Sequence, residues 1–165
     1  RVLFRSGMNG VVLGVANQRS IAWYISQALS QSGARLALTY QNERFKHQVE
    51  SLAATLPNAV ATECDVSDDA NIERTFRYLG DELGTINFVV HSIAYANRDD
   101  LGGAFSATSR EGFRIALETS SYSLMAVSRE AAPFMASGGS ILTMTFQASE
   151  RVFPGYTSWE LPKLP

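Results

Sequence analysis

Val11-Val12-Leu13-Gly14-Val15-Ala16-Asn17-Gln18-Arg19-Ser20-Ile21-Ala22 is the stretch on which the reading of the fold turns. A short apolar run ends at Gly14, and from Ser20 the pattern changes period. Ile21, Ile25 and Leu29, flanked by Ala22 and Ala28, recur on one helical face. A glycine at a strand end lets the backbone approach a ligand closely. A helix opening just after it aims free N–H groups and its positive dipole end at the same place. A dinucleotide pyrophosphate is held in this way. The three-glycine spacing usual for such sites is absent, so the segment taken alone reads equally well as a plain turn into a helix capped by Ser20. Gly33 is placed to stop that helix.

The same alternation continues outward. Leu36 to Tyr40 is a second strand, and Phe45, Val49 and Leu52 mark a second helix ended by Pro57 and Asn58. Ala59 to Thr62 is a weaker third strand. Ile72, Phe76, Leu79 and Leu83 mark a third helix, with Gly84 at its end. Ile86 to Val90 has the apolar content of a strand buried on both faces. A polar loop from Tyr95 to about Thr108 leads into a long helix, Arg110 to Met135, broken or capped near Pro133. Gly138-Gly139 precedes a fifth strand, Ser140 to Met144. Alternating strands and helices with right-handed crossovers predict an α/β fold, a doubly wound, Rossmann-like parallel sheet. Five strands are present; a sixth, and further C-terminal strands, are expected and missing.

Bulk properties narrow the function classes. The 165 residues suit one domain, and 45% hydrophobic content suits a globular core. A net charge of −2 argues against nucleic acid or an anionic membrane as partner. The apolar runs are too short to span a bilayer. The lone Cys64 excludes an intramolecular disulfide and a cysteine-based zinc site, and no metal is expected. Residues 1–6 read as a native leader or a translated cloning scar, with no signal-peptide pattern. The expected location is cytoplasmic.

Each strand end offers candidate contacts. After the second strand stands Gln41, able to hydrogen-bond a ribose without repelling either nicotinamide cofactor. Arg44 and Lys46 can meet a 2′-phosphate or lie on a solvated helix face. After the third strand, Asp65 can accept from an adenine amino group while Val66 packs on the ring; equally, Asp65 is a turn or cap residue. Cys64 reads as a small buried filler. His91 invites a general-base reading, against the commoner role of satisfying backbone groups at a strand end. His47 falls on a helix surface. Ser92, Ile93 and Ala94 leave room beside the fourth strand for a flat ligand.

Taken together, these motifs resemble the FabI-type enoyl-[acyl-carrier-protein] reductases, a divergent branch of the short-chain dehydrogenases, from about Gly7 to Tyr156. Gly14, Ser20, Ile21 and Ala22 resemble the family's cofactor loop. Thr39-Tyr40-Gln41 resembles its ribose segment, and Cys64-Asp65-Val66 its adenine contact. His91-Ser92-Ile93-Ala94 is similar to its replacement for the Asn-Asn-Ala-Gly of ordinary short-chain dehydrogenases. Arg110-Glu111-Gly112-Phe113 and Ser120-Ser121-Tyr122-Ser123 resemble its long interface helix.

The resemblance implies an NADH-dependent reduction of a trans-2-enoyl-[acyl-carrier-protein] in fatty acid biosynthesis, with homotetramers when full-length. It implies hydride transfer to the β-carbon and an enolate stabilised by a tyrosine hydroxyl. Tyr156 stands at the tyrosine position and Lys163 at that of the lysine that holds the nicotinamide ribose. Gly14, Ser20, Ile21, Gln41, Asp65, Val66, Ser92, Ile93 and Lys163 are the implied cofactor contacts. Ala96, Phe146 and Tyr156 are the implied substrate contacts.

Two departures qualify this. Phe146 stands where the family carries a second tyrosine, so a ring is kept and a hydroxyl is absent. After Tyr156 the family continues as a helix, reading approximately Asn-Ser-Met-Gly-Val-Ala-Lys-Ala. Here Pro162 would disrupt such a helix by about 3 kcal/mol. One missing base before the codon for Trp159 would turn Met-Gly-Val-Ala-Lys-Ala into the Trp-Glu-Leu-Pro-Lys-Leu found at 159–164. Residues 7–156 are thus expected to form an incomplete dinucleotide-binding domain and 157–165 a frameshifted tail. The alternatives are another short-chain oxidoreductase, against which His91-Ser92-Ile93-Ala94 argues, or a non-catalytic nicotinamide-binding fragment.

Overall fold

The computed structural model describes residues 7–101, 104–136 and 138–145. These fall into two compact units: one takes residues 7–92 and 126–143, the other 93–125 with 144 and 145.

The first unit is a parallel sheet of β1 (Asn9–Leu13), β2 (Arg35–Tyr40), β3 (Val60–Glu63), β4 (Phe88–His91) and β5 (Ser140–Thr143), in the order β3-β2-β1-β4-β5. The chain winds one way from β1 to β3 and the other from β4 to β5, so the doubly wound expectation holds. Val11, Val12 and Leu13 of the central strand are fully buried. Gly10 pairs with Phe88, whose ring lies where a Cβ of Gly10 would stand. Three helices complete this half: α1 (Ile21–Gln31), α2 (Glu43–Ala53) and α3 (Asp69–Leu83).

Their ends follow local chemistry. At the end of α1, Gly33 takes φ +89°, its N–H donates to the Ser30 carbonyl, and the Ala34 N–H reaches back to Leu29. This paired closure satisfies carbonyls that the helix leaves open. Asn42 caps α2 and Asp68 caps α3, each accepting from the amide two residues on. Observed strands differ from the expected bounds by one or two residues. The largest change is in β4, which begins at Phe88. Asn87 instead accepts from the Asn9 amide through its side chain, while the Ile86 amide donates to the Phe134 carbonyl.

In the second unit the expected continuous helix is corrected. α4 (Arg110–Leu117) passes into a π-helical turn over Glu118–Tyr122, and α5 (Ser123–Ala131) follows, its residues from Ala126 on belonging to the first unit. α5 gives way to a 3-10 turn at Ala132–Phe134, so the break near Pro133 is as expected. Ser109 caps α4 by accepting from the Gly112 amide at 2.9 Å. Asp100 holds that cap in turn, accepting from the Ser109 amide at 2.9 Å. Gly112 is buried, and the Asp100 carboxylate occupies the place its Cβ would take.

Candidate cofactor site

The carboxyl ends of the parallel strands lie in register, Leu13 beside His91 and Tyr40 beside Glu63. The winding direction reverses between β1 and β4. Ligands of open α/β sheets bind at such a reversal, outside the carboxyl ends of the strands.

The loop at this point is built around one hydroxyl. Gly14 takes φ +96°, a conformation that side chains disfavour. Ser20 occupies the N-cap position of α1, but its side chain does not cap the helix. Its Oγ accepts instead from the amides of Ala16 and Asn17, at 3.0 Å each. This corrects the simple cap expected from sequence. Two N–H groups fill the acceptor side of Oγ and leave its proton to donate. Among the described residues, the amides of Ile21 and Ala22 also have no acceptor. The first turn of α1 holds no acidic side chain, and the Ile21 side chain is 61% exposed. One O–H and two N–H donors thus stand at a positive helix end, a donor set suited to a pyrophosphate.

Beyond β2, Gln41 is exposed. Arg44 lies over the Phe45 ring, 5.7 Å from its centroid. Lys46 pairs with Glu43 at 3.0 Å, and that hydrogen bond raises the ammonium pKa. Both basic side chains of this helix start thus have contacts within their own helix.

Beyond β3, Asp65 forms a local turn: Oδ1 accepts from the Ser67 amide at 3.0 Å and the Ser67 hydroxyl at 2.7 Å. The turn reading is therefore realised, while the cap of α3 is Asp68. Asp65 Oδ2 has no hydrogen-bond partner among the described residues and remains able to accept. Val66 is buried. Burial raises the Cys64 thiol to about 12, which keeps it protonated and unreactive at neutral pH. The filler reading holds.

His91 is fully buried, with Nδ1 3.3 Å from the Thr143 hydroxyl across the β4–β5 pairing. A ring without exposed surface has no access to a substrate, so the general-base reading gives way to a structural one. His47 is exposed on α2. Ser92 is half-buried.

In the second unit, Ile93 is half-buried, Ala94 exposed, Tyr95 49% exposed and Ala96 buried. The Tyr95 backbone meets a residue that sequence reasoning did not single out as a contact. Ser120 Oγ accepts from the Tyr95 amide at 3.0 Å and donates to the Tyr95 carbonyl at 3.2 Å. The polar run Ser120-Ser121-Tyr122-Ser123 inside a helical period was the available signal. Phe146, Tyr156 and Lys163, with the leader at 1–6 and the tail at 157–165, lie outside the described residues. Among the described residues, no cluster of three or more His, Cys, Asp or Glu side chains is placed to hold a metal, and no helix is long and apolar enough to cross a membrane.

The family model described as Enoyl-(Acyl carrier protein) reductase matches residues 14–164. The chain belongs to the enoyl-[acyl-carrier-protein] reductase family. Among its curated relatives in that family, the NADH-dependent FabI of Enterococcus faecalis is 44% identical over 161 residues, covering 98% of this chain and 64% of the relative. The FabI of Bacillus subtilis is 46% identical over 152 residues, covering 91% and 59%. A Bacillus cereus enoyl reductase solved with NADP+ and indole naphthyridinone superposes with TM-score 0.93 at 46% identity, covering 96% of this chain and 62% of that one. An Anaplasma phagocytophilum reductase solved with NAD gives 0.92 at 39% identity, covering 96% and 61%. This enoyl reductase family member therefore spans about three fifths of the length of the relatives it matches.

Proposed function

We propose that this chain forms the cofactor-binding part of an NADH-dependent enoyl-[acyl-carrier-protein] reductase of fatty acid biosynthesis. The observation that carries the reading is the donor set around Ser20, placed where the sheet reverses its winding in a chain of this family. Ser20 Oγ and the amides of Ile21 and Ala22 bind the pyrophosphate. Gly14 lets the loop come close to it. Gln41 takes a ribose hydroxyl, Asp65 Oδ2 accepts from the adenine amino group, and Val66 lies against the ring. Ser92 and Ile93 flank the nicotinamide end. When bound, the reduced nicotinamide supplies hydride to the β-carbon of a trans-2-enoyl thioester. Tyr156 donates a hydrogen bond to the thioester oxygen and Lys163 holds the ribose; Ala96 and Phe146 line the acyl chain. The partner is the acyl carrier protein bearing the enoyl group, the full-length assembly is a homotetramer, and the location is cytoplasmic.

NADH is favoured over NADPH because Gln41 offers no charge to a 2′-phosphate and Lys46 is paired with Glu43. Enoyl-thioester-dependent oxidation of the two cofactors by the full-length protein tests both statements. Efficiency with NADH exceeding that with NADPH is expected. A tenfold advantage of NADPH, about 1.4 kcal/mol, reverses the cofactor assignment. Oxidation of neither cofactor removes the reaction. The 165-residue chain alone is expected to bind NADH weakly and not to turn over. Turnover of the short chain abolished by Tyr156→Phe would contradict that.

A further inference from the structure

Three serines in the helical segments of this chain bond back to a carbonyl four residues earlier. Ser26 donates to the Ala22 carbonyl at 2.7 Å, Ser51 to His47 at 2.7 Å and Ser123 to Thr119 at 2.6 Å. Ser120 does not. It lies in the π-helical turn, is 3% exposed, and directs its hydroxyl to a residue 25 positions earlier. There it accepts from the N–H and donates to the C=O of the same residue, Tyr95.

The Ser92 amide still bonds to the Leu13 carbonyl of β1, but the residues from Ile93 to Asn97 form neither strand nor helix, and no ladder fixes their peptides. A hydroxyl that engages both sides of one residue fixes the two peptide planes that flank it. That sets the direction of the half-exposed Tyr95 side chain and the position of Ala96 immediately after it. The π-helical turn is what makes this possible. One additional residue per turn changes which side chains share a face, and such turns occur frequently at functional sites.

We propose that Ser120 is a positioning residue for the enoyl substrate, acting through the Tyr95 backbone to hold Tyr95 and Ala96 against the acyl chain. This rests on the reductase reading above and names a specificity element within it. Ser120 touches no reacting atom; its effect is on acyl binding and not on the cofactor.

The test compares Ser120→Ala, Ser120→Thr and the control Ser26→Ala in the full-length protein. Ser26→Ala also removes a buried serine hydroxyl, but from α1. Two quantities are read: amide exchange resolved at Tyr95, and affinity of a trans-2-dodecenoyl pantetheine thioester for the NAD+ complex. Ser120→Ala is expected to speed exchange at Tyr95 and to weaken thioester binding about tenfold, ~1.4 kcal/mol, with NADH affinity unchanged. Ser120→Thr, which keeps the hydroxyl, is expected to recover both. Unchanged exchange at Tyr95, or thioester affinity lowered no more than by Ser26→Ala, overturns the proposal. A parent protein that does not bind the thioester at all overturns the reductase reading and this one with it. A parent that binds it and a Ser120→Ala variant that binds equally well overturn this one alone.

Discussion

Ser20 shows how much of a site can depend on the orientation of one hydroxyl. Ser20→Ala leaves the Ala16 and Asn17 amides without their acceptor in a part-buried loop. Such a loss costs about 1–3 kcal/mol. The variant is expected to melt at a lower temperature and to bind NADH at least about tenfold more weakly, read by thermal scans and fluorescence titration. An unchanged NADH affinity would show that the loop does not hold the pyrophosphate. Cys64 makes a second residue-scale prediction. Its folded-state pKa of about 12 lies above its ordinary 9.0. The unfolded thiol therefore ionises first, and between those values the folded state holds more protons. Stability contributed by the protonated thiol is present below pH 9 and is lost as pH rises toward 12. Cys64→Ala is expected to flatten that alkaline decline in denaturant titrations, and Cys64 is expected to resist alkylation until the chain unfolds. The positions of Gly14, Ser20 and Asp65 were legible in the sequence because strand ends and helix starts leave compositional marks. Their partners were not. A serine ahead of a helix has the same spacing whether it caps forward or clasps the loop behind it, and only the loop's path decides.

At the scale of elements, Gly80 sets two effects against each other. Replacing a helix-interior glycine by alanine ordinarily stabilises by about 1 kcal/mol. Here the Phe134 ring occupies the space of the missing Cβ. Overpacking of that kind costs about 1–3 kcal/mol, so the clash wins. Gly80→Ala is expected to lower the denaturation midpoint, and adding Phe134→Leu to recover it. If Gly80→Ala alone stabilises, the packing of α3 against that turn is looser than described. Helices α2 and α3 were readable because Val49 and Leu52, and Ile72, Phe76, Leu79 and Leu83, recur on one buried face. In α1 the expected face is met only in part: Ile21 is exposed, while Trp23 and Ser26 are buried. The π-helical turn was not readable. Leu117 and Leu124 bracket it and both suit a helical period, so the pattern gives no sign of an extra residue between them. Only the buried hydroxyl of Ser120 betrays it. Arg114 reinforces the same junction through ion pairs to Glu111 and Glu118, though such exposed pairs contribute only about 0–1 kcal/mol each.

On the scale of the whole molecule, β5 stands at the sheet edge among the described residues, and Ile141 and Leu142 are 37% and 54% exposed. An uncovered apolar edge is a template for pairing with another chain. Expressed alone, the 165-residue chain is expected to form irregular oligomers in sedimentation. A monodisperse monomer that unfolds cooperatively would contradict this. Resequencing the coding DNA addresses the tail. Restoring one base between the codons for Tyr156 and Trp159 is expected to open a frame reading Met-Gly-x-Ala-Lys. Failure to open it removes the frameshift proposal.

The strand order also has a consequence for the birth of the chain. β1 is made before β2 and β4, yet it lies between them, with Gly10 waiting for Phe88. At synthesis rates of about 5–20 residues per second, that partner leaves the ribosome roughly 4–16 s later. Throughout the interval Val11, Val12 and Leu13 present a bare β edge to solvent or to a chaperone. Closing so long a loop is itself slow relative to local helix formation. The most deeply enclosed strand of the finished sheet is thus the one exposed longest while the protein is being made, and slowing translation between β1 and β4 is expected to raise the aggregated fraction of new chains.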